Sequence, residues 1–150
     1  MPTHFKGTPE QVMALDTYIK FYRAADSLET RMMRRAVLED LTSTQFGVME
    51  ALLHLGPMCQ SEIGGKLLKS GGNITLVIDN LEKRGLVVRH TNPGDRRMTD
   101  VSLTPKGEEQ ITRIFPEQVK IIVEEFGALT AEEQQILGRL SKKLGKQGKE

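Results

Sequence analysis

Tryptophan is absent from the 150 residues, and the aromatics amount to five phenylalanines and two tyrosines. A buried core must therefore be built mainly from aliphatic side chains and the seven methionines. A single cysteine, Cys59, excludes an internal disulfide framework and any multi-thiolate zinc site. No stretch reaches the roughly 18 apolar residues that a membrane span requires. The opening MPTHFKGTPEQ lacks the apolar run of a signal peptide, so the expected compartment is the cytoplasm, with no membrane partner. Catalytic signatures are missing too. Gly71-Gly72 is followed by Asn73-Ile74 rather than Lys-Ser/Thr, which excludes a phosphate-binding P-loop, and neither a nucleophile elbow nor an HExxH pair occurs. His4, His54 and His90 are far apart, with no cysteine or acid cluster to complete a metal set. The expectation is a non-enzyme with no cofactor and no metal.

Net charge is also small, at +1, which by itself does not announce a polyanion partner. Its distribution says more. Residues 66–97 hold seven Lys or Arg (Lys66, Lys69, Lys83, Arg84, Arg89, Arg96, Arg97) against three acids (Asp79, Glu82, Asp95). Acids gather instead at Glu108, Glu109 and across residues 117–133. A basic middle with acidic flanks suits a DNA-facing module on a solvated scaffold, although a lysine-rich face is most often simply a wet one.

What is present is ordinary for a globular chain: 38% hydrophobic and 27% charged residues, enough for one domain with a helical extension. Thr8-Pro9-Glu10-Gln11 reads as an N-cap, a proline at the first helical position and a capping box. Val12, Leu15, Ile19, Tyr22 and Ala25 then recur at helical spacing, which predicts a long helix to about Arg35. A second capping box, Thr42-Ser43-Thr44-Gln45, opens a more buried helix that Gly56-Pro57 stops. SEIGGKLLK (61–69) forms a short helix broken by Ser70-Gly71-Gly72, and residues 73–84 form the next, with Ile74, Val77, Ile78 and Leu81 on one face and Gly85 at its end. Two short helices joined by a glycine-containing turn match a helix-turn-helix. LVVRH (86–90) and TDVSL (99–103) are rich in β-branched residues, and Asn92-Pro93-Gly94-Asp95 places Pro and Gly where a type II turn wants them. This predicts a β-hairpin with a basic tip, a wing. Thr104-Pro105 caps another long helix, in which Pro116 is a kink candidate, and Thr130 with Glu133 starts the last one.

The fold class that follows is mainly α with a small β-hairpin wing: a winged helix-turn-helix with N- and C-terminal dimerisation helices. Residues 1–38 and 104–150 would form the helical dimerisation region and 39–103 the DNA-binding domain. The terminal helices carry apolar stripes without an evident partner in the middle of the chain, so they would pack on each other and on a second copy.

At about 100° per residue, the face of helix 73–84 opposite its apolar stripe centres on Leu76, Asp79 and Lys83, with Thr75 and Asn80 beside it. Major-groove reading needs short side chains where the helix begins, because the backbone comes close to DNA there. Ser70, Gly72, Asn73, Thr75, Leu76, Asp79 and Lys83 are therefore the candidate contacts, with Leu76 suited to a thymine methyl. The bland alternative is an amphipathic helix with a solvated face. At the wing, Arg96 and Arg97 sit at an exposed hairpin end, where an arginine can enter a narrow, electronegative minor groove. Asp95 could hold one of them by a bidentate pair, or the three could form a solvated turn salt bridge.

The stretch TSTQFGVMEALLHLGPMCQSEIGGKLLKSGGNITLVIDNLEKRGLVVRHTNPGDRRMTDVSLTPKGEEQI resembles the core of the MarR family of transcriptional regulators. NITLVIDNLEKRGLV, the DRR of the wing and SLTPKG are its strongest parts. The resemblance covers roughly residues 41–111, and the terminal helices agree in pattern only. It implies a homodimer with interlocked terminal helices, double-stranded DNA as partner, and a pseudo-palindromic operator whose half-sites lie about one helical turn apart. It places Arg97 at the family's minor-groove wing arginine and Asp95 at its supporting acid. It also implies a repressor released by a small effector or by oxidation, and GGNITLVIDNLEKRGL is similar to the branch that responds to quinones and catechols. Two alternatives remain open at this point. One is a winged-helix interaction module without tight DNA binding; the other is a thiol-based redox regulator working through Cys59. Lone cysteines are most often small buried hydrophobes, and the peroxide sensors of the family generally carry theirs in the first helix.

Overall fold

The computed structural model describes residues 3–67 and 73–147. Its elements are α1 (Pro9–Arg35), α2 (Ser43–Leu55), β1 (Met58–Cys59), α3 (Gln60–Lys66), α4 (Ile74–Lys83), β2 (Val87–Thr91), β3 (Thr99–Leu103), α5 (Pro105–Phe126) and α6 (Ala131–Gly145). Three of the helices begin at capping boxes legible in the sequence. Thr8, Thr42 and Thr130 each accept from the backbone N–H three residues on, and the side chains of Gln11, Gln45 and Glu133 reach back to the cap. Each exchange satisfies two helix-end donors that would otherwise lack partners. At the other ends, Gly56 (φ 82°) and Gly85 (φ 73°) turn the chain out of α2 and α4 through the left-handed region.

The chain divides into two compact units, Met1–Ala36 with Lys120–Glu150, and Val37–Val119. The second is the winged helix-turn-helix. Its core joins Val48, Met49 and Leu52 of α2, Ile63 of α3, Ile78 and Leu81 of α4, and Val87 and Val101 of the sheet. Ile111 and Ile114 complete that core, so the first turns of α5 fold with the wing rather than with the terminal helices. The sheet has three antiparallel strands in the order β1-β3-β2, where a two-stranded hairpin was expected. The extra strand is only two residues long, and Met58 and Cys59 pair with Val101 and Asp100. Nothing local in Met58-Cys59 marks it, because its hydrogen bonds go to residues some forty positions away. Thr104 closes the base of the hairpin: its N–H donates to Leu86 O (3.1 Å), its hydroxyl donates to Gly85 O (2.6 Å), and that hydroxyl also accepts from Gly107 N (3.1 Å).

The other unit consists of α1, the end of α5 and α6. Arg31 and Arg35 of α1 ion-pair with Glu125, and Arg35 also pairs with Glu124. Neither α1 nor α6 has a buried residue, yet Tyr18, Tyr22, Ile136, Leu140 and Leu144 are large apolar groups with much of their surface in solvent. An apolar groove of about 730 Å³ runs between the three helices, lined by Phe21, Leu28, Phe126 and Leu137 among others. Contiguous apolar surface of this kind is rare on a protein that works alone. Among the described residues, no helix is long and apolar enough to cross a membrane.

Candidate nucleic-acid interface

Asn73 caps α4, its side-chain oxygen accepting from Leu76 N (3.4 Å). Because Ile78 and Leu81 are fully buried, the helix has a fixed rotation, which turns Thr75, Leu76, Asn80 and Lys83 outward. Leu76 is 55% exposed. Ser70 and Gly72, the remaining candidates from the helix start, lie outside the described residues.

Two neighbours not singled out from the sequence shape this face. Gln60, at the start of α3, donates to the Thr75 hydroxyl. Arg89, from β2, pairs with Asp79 (2.7 Å) and Glu82 (3.0 Å), and its backbone N–H donates to Glu82 as well (3.1 Å). Arg89 therefore fastens the first wing strand to α4. It also offsets the charge of two acids that would otherwise repel phosphates. Asp79 thus sits on the expected face as half of an ion pair. The sequence showed Arg89 only as one more positive charge, since its partners lie seven and ten positions back on another element.

At the wing tip the expected type II turn is not formed, because Gly94 does not have the positive φ that such a turn demands. The Asn92 side chain supplies the turn instead. Its oxygen accepts from Gly94 N (2.8 Å) and Asp95 N (3.0 Å), doing what a backbone carbonyl would do. A second turn follows, with Met98 N donating to Asp95 O (3.0 Å), and Asn92 N donates to Met98 O (2.9 Å) across the hairpin. Arg96 and Arg97 occupy the corners of that second turn, both exposed. Asp95 accepts from the Arg97 backbone N (3.0 Å), Nε (3.2 Å) and Nη2 (3.4 Å), while the Arg97 side chain remains 90% exposed. The pairing that the sequence suggested is therefore made, and its cation points into solvent.

The Arg97 side chain, followed by its backbone N–H, holds the Asp95 carboxyl below its ordinary range. A depressed carboxylate pKa means that the stabilising contact is complete above the ordinary aspartate range and is lost as pH falls through the lowered value. The Asp95–Arg97 pair accordingly stays ionised across neutral pH.

Cys59 is only 5% exposed. Its thiol donates to Glu62 Oε1 (3.1 Å) and lies 3.2 Å from the Ser61 hydroxyl. A sensor thiol needs access and an electropositive setting, and Cys59 has burial and a carboxylate. The native protein should therefore react with Ellman's reagent about tenfold or more slowly than the denatured chain. Rapid stoichiometric labelling of the folded protein would reinstate the thiol as a sensor.

The family model described as "MarR family" matches residues 41–99, from just before α2 to the start of β3. The HTH-type transcriptional regulator YkoM of Bacillus subtilis is 37% identical over 132 residues, which is 88% of this chain and 86% of that protein. The chain belongs to the MarR family. A second relative, the HTH-type transcriptional regulator MhqR of Bacillus subtilis, is 34% identical over 91% of this chain and 94% of its own length. Among solved structures, Bordetella bronchiseptica BpsR, whose DNA binding is regulated by 6-hydroxynicotinic acid, superposes with a TM-score of 0.73 at 25% identity. That match covers 86% of this chain and 98% of BpsR. The MarR-family segment contains α4 and the Asp95-Arg96-Arg97 tip, the two features on which a DNA contact would rest.

Proposed function

We propose that this DNA-binding regulator is a homodimeric repressor that occupies a pseudo-palindromic operator and is released by a small aromatic effector. The observation that carries the reading is the wing tip, where an ordered, exposed Arg97 stands on a hairpin fastened to α4 through Arg89. In the operator complex, α4 lies in the major groove. Asn73 and Thr75 hydrogen-bond there, Leu76 meets a thymine methyl, and Lys83 neutralises phosphate. Arg97 enters the minor groove, and Arg96 adds charge beside it. BpsR supports a hydroxylated aromatic acid as one effector class, and the resemblance of residues 71–86 to the quinone- and catechol-responsive branch supports another. The direct test is to titrate a preformed protein–DNA complex with 6-hydroxynicotinic acid, catechols and quinones. Dose-dependent release by one class supports the reading, and a complex indifferent to all of them contradicts the effector part.

The dimer is tested separately. Leu140 and Leu144 of α6 are 48% and 57% exposed in the single chain. Placing a charge at both positions (Leu140→Glu with Leu144→Glu) should convert a dimer to a monomer by light scattering, because charge buried at an apolar interface is strongly disfavoured. A variant that keeps the wild-type mass would remove α6 from the interface.

A further inference from the structure

We propose that Asp100 and Asn92 are positioning residues, a relay anchored on a buried carboxyl that sets the pose of the wing arginine from the sheet. The inference rests on the reading that Arg97 enters the minor groove. It concerns what holds Arg97 ready to do so, since at 90% exposure its side chain has almost no packing to order it.

Asp100 lies on the central strand β3, directly across from Cys59 on β1 and His90 on β2, and is 7% exposed. Strand position alone would favour an apolar residue there. A buried carboxylate is tolerated only where it is hydrogen-bonded, and its Oδ2 accepts from Asn92 Nδ2 at 2.8 Å. Asn92 in turn spends its oxygen on Gly94 N and Asp95 N. Both ends of one amide are therefore committed. Asp100 Oδ2 accepts at one end and the two backbone N–H groups can only donate at the other, so the reversed amide would set donors against donors at the turn. Asp100 thereby fixes the orientation in which Asn92 caps the turn. The capped turn sets the Asp95 backbone, and the Asp95 carboxylate receives Nε and Nη2 of Arg97. A continuous path of side-chain and backbone hydrogen bonds links a buried anchor to an exposed tip. Its effect is preorganisation: less rotamer freedom remains to be lost when the arginine meets DNA.

The sharpest perturbation is Asn92→Asp. It keeps an oxygen for Gly94 N and Asp95 N but sets a second carboxylate against Asp100. Asn92→Ala, which adds no charge, is measured in parallel in case the first variant is unstable. Operator affinity of the full-length protein should fall by about three- to tenfold in each. The reciprocal pair Asn92→Asp with Asp100→Asn restores a donor–acceptor match at the same atoms, and should return affinity to within about twofold of wild type. In an Arg97→Ala background the uncharged Asn92→Ala should cost nothing further, because the relay acts only through that side chain.

Wild-type affinity in both Asn92 variants, failure of the reciprocal pair to recover, or an equal loss from Asn92→Ala with and without Arg97 would each overturn the relay. The last of these would mark a general wing-folding role. If Arg97→Ala alone binds like wild type, the minor-groove reading fails and takes the relay with it. If Arg97→Ala weakens binding while the Asn92 variants do not, only the relay fails.

Discussion

Arg97→Ala should bind its operator about ten- to hundredfold more weakly than wild type, with oligomeric state and thermal unfolding unchanged. The size follows from placement. The Arg97 side chain pairs with Asp95 at the wing tip and is 90% exposed, so its removal leaves the core untouched. What is lost is a preordered cation aimed at the groove where the DNA potential is most negative. Arg97→Lys should recover only part of the loss, because an ammonium cannot reproduce the planar two-point contact with Asp95. Fluorescence anisotropy on a labelled duplex from the upstream region of the gene reads both variants. Equal affinities for wild type and Arg97→Ala would remove the wing from the interface.

The second large effect is on stability. Gly107→Ala should lower the unfolding free energy by about 2–4 kcal/mol, read by urea denaturation. Alanine in place of glycine inside a helix ordinarily stabilises by up to about 1 kcal/mol, so the opposite sign is diagnostic. Here the first turn of α5 is pressed against the backbone of Leu86. A Cβ on Gly107 would fall well inside van der Waals contact distance of the Leu86 carbonyl oxygen and 2.9 Å from its carbonyl carbon. Neither side can yield easily. Leu86 is fully buried and its carbonyl accepts from Thr104 N, while Gly107 N is held by the Thr104 hydroxyl. The clash would have to move the junction of α4, the wing and α5 together. A change within about 0.5 kcal/mol would mean that this junction is softer than its hydrogen bonds imply.

Much of this architecture is legible in the sequence because it is encoded locally. The three Thr-x-x-Gln/Glu boxes give the starts of α1, α2 and α6, and Gly56 and Gly85 give the ends of α2 and α4. That Asp95 can hold one of the two wing arginines is readable for the same reason, and the family resemblance points to Arg97, the one it pairs with. What escapes is whatever depends on distant strands meeting. β1 exists only because β3 passes beside it. The role of Arg89 appears only when β2 is laid against α4. Pro93-Gly94 suggests a type II turn by composition, yet the Asn92 side chain out-competes it by capping two N–H groups at once. The division of α5 is hidden for a related reason. Ile111 and Ile121 look alike in a helical stripe, and only folding shows that Ile111 belongs to the winged core.

The central claim is that α4 and the wing bind operator DNA through both phosphate and base contacts. The measurement that tests it most directly is an anisotropy titration of the full-length protein against its upstream duplex and a scrambled duplex, each at several salt concentrations. The account predicts two chains per upstream duplex, affinity at least about a thousandfold tighter than for the scramble, and a steep linear fall of log affinity with log salt. Equal, weak binding to both duplexes, in an upstream region shown by footprinting in cells to be occupied by this protein, would contradict it.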